Sequence, residues 1–313
     1  MTFRISTNSN YLLFQNLLSL QNQKLNSLSE QISSGKRINR PSDDPINLGV
    51  LNNYKNQQDS ISQYLKNLDT ADRNWQQIEN SVSSINDILT RAKELSIQGN
   101  NGTLDDTQRS AIAEEVNQLS QQLVSIRNTQ IDGQYIFAGF RTNTKPFALD
   151  PSFPDANPAA IYSGDSNVKS LPIDQSTSMP IQLRLDDLYV GTGAAGEAPI
   201  LQSMANLEQA LRTNNTDDSD PASVGQAIED LGTDLKNIQS QLANVGAKTN
   251  EIDATRSRLQ DQQYINNKAI SGLQDVDMAN ATFEFQKAKT ALQATIMSAN
   301  VVLNKKSLMD FIQ

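Results

Sequence analysis

The side chains best placed to do chemistry in this sequence are three adjacent carboxylate pairs, Asp43-Asp44, Asp105-Asp106 and Asp186-Asp187. Two neighbouring acids can ligate a divalent cation or divide acid and base roles. Each pair also has a plainer reading. Asp43-Asp44 stands just before Pro45, where carboxylates favour the positive end of a helix. Asp105-Asp106 falls in the opening turn of another helix. Asp186-Asp187 sits in a polar turn between two β-type runs. The plainer reading is preferred for all three, so the sequence assigns no catalytic, cofactor-binding or metal-binding residue.

Composition narrows the chemistry further. The 313 residues contain no Cys and no His. This excludes thiol nucleophiles, disulfides, imidazole metal ligands and any Ser–His–Asp or Cys–His site. A net charge of -9 opposes binding to nucleic acid or to an anionic membrane surface. No apolar run approaches the ~20 residues a membrane-spanning helix needs. Residues 1–10 lack a cleavable secretory signal. The chain is therefore expected to stay inside the cell or to leave by a route that reads no such signal. Lys36, Arg37 and Arg40 form a small basic cluster, read as a solvated turn able to pair with acidic neighbours in an assembly.

The elements that must carry these residues are mostly helical. Apolar residues recur at heptad spacing in five runs. The first is Tyr11, Phe14, Leu18, Gln21, Leu25, Leu28 and Ile32. The second runs from Trp75 through Ile78, Val82, Ile85 and Leu89 to Ala92, and the third is Ile112, Val116, Leu119, Leu123 and Ile126. The fourth runs from Val224 to Leu259 and includes Arg256, where a seam turned toward solvent, a packed stem with its head in water, or an interfacial ion pair is expected. The last is Phe285, Ala288, Leu292, Thr295, Ala299 and Val302. A seam period of 3.5 predicts long helices packed as in a left-handed coiled coil.

Boundary signals agree. Asp44-Pro45 reads as a cap and first helical residue, and Asp220-Pro221 repeats it. Thr103 with Asp106 reads as a capping box after the Asn101-Gly102 turn. The helices near 46–98 and 104–130 should form an antiparallel hairpin. Gly35 and Gly133 are expected to supply backbone conformations closed to other residues. Prolines concentrate between Pro146 and Pro199 and exclude helix there. Short β-type runs appear at residues 135–138, 160–162 and 181–185, and the last alternates apolar with polar. The expected fold is mainly α, a long antiparallel coiled-coil-like bundle of N- and C-terminal segments with a small inserted β domain. The expected divisions are 1–44, 45–139, 140–200, 201–270 and 271–313.

The end segments point toward assembly. One seam buries few side chains, at ~1.5–3 kcal/mol each, against ~1–2 kcal/mol of backbone entropy for each ordered residue. The stripes at Tyr11–Ile32 and Phe285–Val302 thus need partners on more than one side. The chain's other end can supply one partner, and neighbouring subunits must supply the rest. The termini are expected to fold on assembly.

Several motifs carry a family likeness. Ser33-Ser34-Gly35-Lys36-Arg37-Ile38, Asn101-Gly102-Thr103-Leu104, residues 133–139 and Ala291-Leu292-Gln293-Ala294 resemble the flagellin superfamily, and Arg4-Ile5-Ser6-Thr7 resembles the opening of its hook-associated protein 3 members. Gly35 and the stretch Pro41, Ser42, Asp43, Asp44 and Pro45 resemble its hook–filament junction members, the hook-associated protein 3 type. Flagellin itself usually has a Lys-Asp-Asp-Ala-Ala type of sequence there. The resemblance implies a structural subunit exported through the flagellar type III apparatus to the extracellular flagellum. It implies contacts with copies of itself, with hook-associated protein 1, with flagellin, and with an export chaperone at the C-terminal helix. It implies no cofactor. The competing readings are a filament-forming flagellin and a carboxylate-only cell-wall hydrolase housed in the β insertion.

Overall fold

Residues 34 and 35 show how local chemistry sets the first boundary. Helix α1 (Thr2–Ser34) stops where Gly35 takes a φ of 70°, a left-handed conformation that suits glycine. The computed structural model describes residues 2–155, 160–183, 199–215, 220 and 222–303. Helix α2 (Pro45–Gly99) opens with Pro45 in the first turn, where its missing N–H is no loss. Asp44 caps it, accepting the Asn47 N–H at 3.1 Å. Helix α3 is Asp106–Arg127, α4 Pro199–Arg212, α5 Val224–Gln274 and α6 Met278–Leu303. The protein is mainly α, as the heptads predict.

Among the described residues between α3 and α4 lie three two-stranded antiparallel ladders. Strand β1 (Gln130–Ile131) pairs with β2 (Gln134–Tyr135), β3 (Phe147–Leu149) with β4 (Ala160–Tyr162), and β5 (Ser170–Pro172) with β6 (Ser178–Pro180). The β1–β2 turn uses Asp132 and Gly133 at φ of 51° and 77°. Of the expected strands, 160–162 is observed as such. The run at 135–138 holds strand only at Tyr135, because the backbone then turns to place Gly139 at φ 66°. Ile181–Leu183 follows β6 without being strand, and residues 184 and 185 lie outside those described. The alternation misleads because Gln182 is buried too. Its side chain accepts the Lys169 N–H at 3.1 Å and donates to the Gly139 carbonyl at 3.1 Å. The Asp186-Asp187 pair and the Gly191–Gly196 stretch also lie outside the described residues.

The chain divides into two compact units, one of residues 1–60 with 261–313 and one of residues 61–260. The divisions fall inside α2 and α5, which contribute turns to both. The second unit holds a continuous core, with Leu68, Ile78, Val82, Ile85, Leu123, Leu207, Leu231 and Ile238 fully or almost fully buried. Within it α2 and α3 run antiparallel, tied by Arg91 to Glu115 at 2.8 Å. Helices α3 and α4 are also antiparallel, since Asn117 reaches Glu208 and Glu114 reaches Arg212. The cap of α3 is Asp105 with Gln108, not Thr103 with Asp106. Thr103 is already engaged, both its N–H and its hydroxyl donating to Asn101 Oδ1.

Trp75 is buried, and its indole N–H donates to the Pro180 carbonyl at 2.8 Å, joining α2 to the end of β6. Arg256 reaches across to Asp72 at 2.9 Å and Asp69 at 3.5 Å, so α5 and α2 are tied within the chain. Arg127 is fully buried, its guanidinium 5.0 Å from the Phe147 ring centroid.

Candidate assembly surface

Helices α1 and α6 pair antiparallel in the first unit. Lys24 meets Glu284 at 3.3 Å, and nearer the ends the Val276 N–H donates to the Gly35 carbonyl at 3.0 Å. The chain's other end is expected to supply one partner for each stripe, and most of the seam residues are partly or fully covered. Phe14, Leu18, Leu25, Leu28 and Ile32 are half-buried on α1. Ala288 and Ala299 are buried, and Phe285, Leu292 and Thr295 are half-buried, on α6. Tyr11, the first residue of the expected seam, is 50% exposed. The side chain of Val302 lies outside those described.

Pairing covers one face of each helix. The other face of α1 shows Leu12, Leu13, Leu17 and Leu20, the last 61% exposed. That of α6 shows Phe283, Ile296, Met297 and Val301. These residues fall outside the heptad seam. Their signal was present, because Leu13, Leu17 and Leu20 repeat at helical spacing beside the seam. Across the described residues there are 17 exposed large apolar side chains, and 14 of them belong to the first unit. The exceptions are Ile97, Phe140 and Ile161.

The motif turn at 35–45 joins both helix pairs of this unit. Lys36 and Asp275 form an isolated antiparallel bridge, with the Arg37 N–H donating to the Gln274 carbonyl at 2.6 Å. The Arg37 guanidinium donates to the Leu273 carbonyl at 2.8 Å, filling an open acceptor at the end of α5. The same group reaches Asp44 at 3.3 Å. Asp43 folds the turn from the other side, accepting the Asn39 and Arg40 amides at 2.9 and 2.7 Å. Those amides, Arg40 first, hold the Asp43 carboxyl below its usual range, and the Asn47 side chain does the same for Asp44. Both carboxylates thus bind backbone. Arg40 pairs with Glu30 at 3.0 Å. Pro41, Ser42 and Pro45 are exposed on the rim of this turn. Asp277, which the sequence reading overlooked, caps α6 through the Ala279 and Asn280 amides. Among the described residues no cluster of three acidic groups can hold a metal, and no helix is long and apolar enough to cross a membrane.

Helix pair, motif turn and bundle coincide with known family regions. The model of the bacterial flagellin N-terminal helical region matches residues 5–142, and that of the bacterial flagellin C-terminal helical region matches 226–312. The chain belongs to the flagellin family. Among curated flagellin-family relatives, flagellar hook-associated protein 3 of Escherichia coli K12 is 28% identical, over 85% of this chain and 86% of its own. The flagellin of Bacillus subtilis 168 is 27% identical, over 95% of this chain and 96% of its own. The crystal structure of flagellar hook associated protein-3 from Legionella pneumophila superposes with a TM-score of 0.61 at 16% identity, covering 70% of this chain and 98% of that one. At that identity the likeness is one of fold.

Proposed function

We propose that this chain is a structural subunit of the bacterial flagellum, placed at the junction between hook and filament. One observation carries the reading. The terminal unit exposes apolar side chains on the faces left over after α1 and α6 have paired, whereas the bundle encloses its own core. Apolar side chains exposed in such number on two paired helices call for a partner. Identical neighbours around an axis can cover it from both sides, as closed or helical symmetry requires. The proposed interface is thus the outer faces around Leu13, Leu17, Leu20, Phe283 and Met297, with the Tyr11–Ile32 and Phe285–Val302 seams closing each subunit.

The remaining assignments rest on the family. The subunit works by assembly and not by catalysis. Its neighbours are copies of itself, hook-associated protein 1 on one side and flagellin on the other. A chaperone holds the C-terminal helix before export through the flagellar type III apparatus. Export in an unfolded form suits a chain without Cys. The terminal pair, covered on one side only, gains most of its order on assembly.

A filament-forming flagellin is the second reading, favoured by the Bacillus subtilis relative. The proline-flanked turn at Pro41–Pro45 favours the junction. A deletion strain separates them. The junction reading expects hooks without attached filaments and flagellin released into the medium. Normal filaments in that strain would sink it. Long filaments grown from purified, seeded protein would support the flagellin reading instead.

A further inference from the structure

The connection between α2 and α3 contains the chain's one Asn-Gly dipeptide, Asn101-Gly102. Both residues are exposed. Among the described residues the Gly102 N–H and the Asn101 side-chain NH2 make no hydrogen bond. Asn101 Oδ1, by contrast, accepts two, from the Thr103 N–H at 3.1 Å and the Thr103 hydroxyl at 3.0 Å. The Asn101 backbone is held in place, its carbonyl accepting from Arg109 at 2.9 Å and from the Leu104 N–H at 3.2 Å.

We propose that Asn101 is a site of spontaneous deamidation. The Gly102 backbone nitrogen attacks Asn101 Cγ, which is close in sequence and unshielded because Gly102 has no side chain. Negative charge builds on Oδ1, where two donors from Thr103 already point, so the addition step is stabilised as in an oxyanion hole. The new N–Cγ bond forms and the Cγ–Nδ2 bond breaks. Ammonia departs with the proton that Gly102 gives up. Water then opens the cyclic imide at either carbonyl, giving Asp or isoAsp at position 101. Nothing is oxidised or reduced, and water is the only co-reactant.

The same molecule provides its own controls. Asn26-Ser27 and Asn80-Ser81 lie within α1 and α2, where the attacking nitrogen is committed to the helical ladder. Either product adds a charge at this tip, four and five residues before Asp105 and Asp106. The isoAsp product also reroutes the backbone through Cγ, which moves the carbonyl that Arg109 now holds.

Peptide mass spectrometry of the purified full-length chain, aged at neutral and mildly alkaline pH, tests this. Conversion at Asn101 should run at least roughly tenfold faster than at Asn26 or Asn80. IsoAsp should form alongside Asp. Gly102→Ala has open space around the new Cβ and no positive φ to oppose it, so that variant keeps its fold. Its methyl group crowds the attacking nitrogen and should slow conversion roughly tenfold. Equal rates at the three asparagines, Asp without isoAsp, or an unchanged rate in Gly102→Ala would each overturn the proposal.

Discussion

Asp234 sits on α5, 7% exposed, and burial pushes its carboxyl up to about 6. A hydrogen bond from Ser203 and the charge of Arg127 pull the other way without winning. The folded chain therefore holds a proton that the unfolded chain releases at the ordinary value of 3.8. Between those limits the native state binds more protons, so stability falls as pH rises from about 4 to 6 and stays lower above. The shift corresponds to roughly 2–3 kcal/mol. No His titrates in that window. Chemical denaturation at pH 4.5 and 7.5 should show this slope in the native sequence, and Asp234→Asn should flatten it while raising stability at pH 7.5. Asp43 and Asp44 act in the opposite sense. Their lowered values add stability that is lost only as pH drops below the usual carboxylate range.

Single contacts at their ends fix how the elements meet. Asp105 and Gln108 satisfy each other's backbone at the start of α3, so Asp105→Ala should cost about 1 kcal/mol in denaturant unfolding. Thr103→Ala touches no helical amide and should leave stability within about 0.5 kcal/mol. A larger loss at Thr103 than at Asp105 would place the cap at the residue the sequence pattern alone suggests. The β region is held to α2 by the Trp75 indole. Trp75→Phe removes its bond to Pro180 and should cost about 1 kcal/mol or more, since a carbonyl then loses its donor. Faster amide exchange at Ile181, whose N–H donates to the Lys169 carbonyl beside that contact, is the local readout.

Whole-molecule behaviour follows from the unequal covering of the two units. Substituting Leu13, Leu17 and Leu20 with Ser changes residues that are exposed in the single chain. Helicity and thermal unfolding of the free protein should barely change, while attachment of filaments in cells is lost. Unimpaired motility in that triple variant would remove the outer face of α1 from the interface. Leu25→Ser, in the half-buried seam, should instead loosen the α1–α6 pair itself. In the isolated native chain, amides of residues 11–34 should exchange much faster than those of α3, because local opening there exposes less buried surface.

Local periodicity made most of the helical architecture legible. Heptads, the Asp44-Pro45 cap, and the glycines at 35 and 133 depend on neighbours a few residues away, and those interactions survive in any context. The absence of Cys and His closed off whole classes of chemistry before any fold was known. Helix α4 was not singled out, since its 14 residues offer too few turns for a sustained repeat. Tertiary structure decided which apolar face is spent inside the chain and which is left over. A stripe such as Phe14–Ile32 and its neighbour Leu13–Leu20 are equally apolar, and only the position of α6 separates them. The same holds for Gln182, Arg256 and Asp234. Each is polar by type, and the contacts that decide its place, Gly139 for Gln182, Asp72 for Arg256 and Ser203 for Asp234, lie far along the chain, where spacing carries no information.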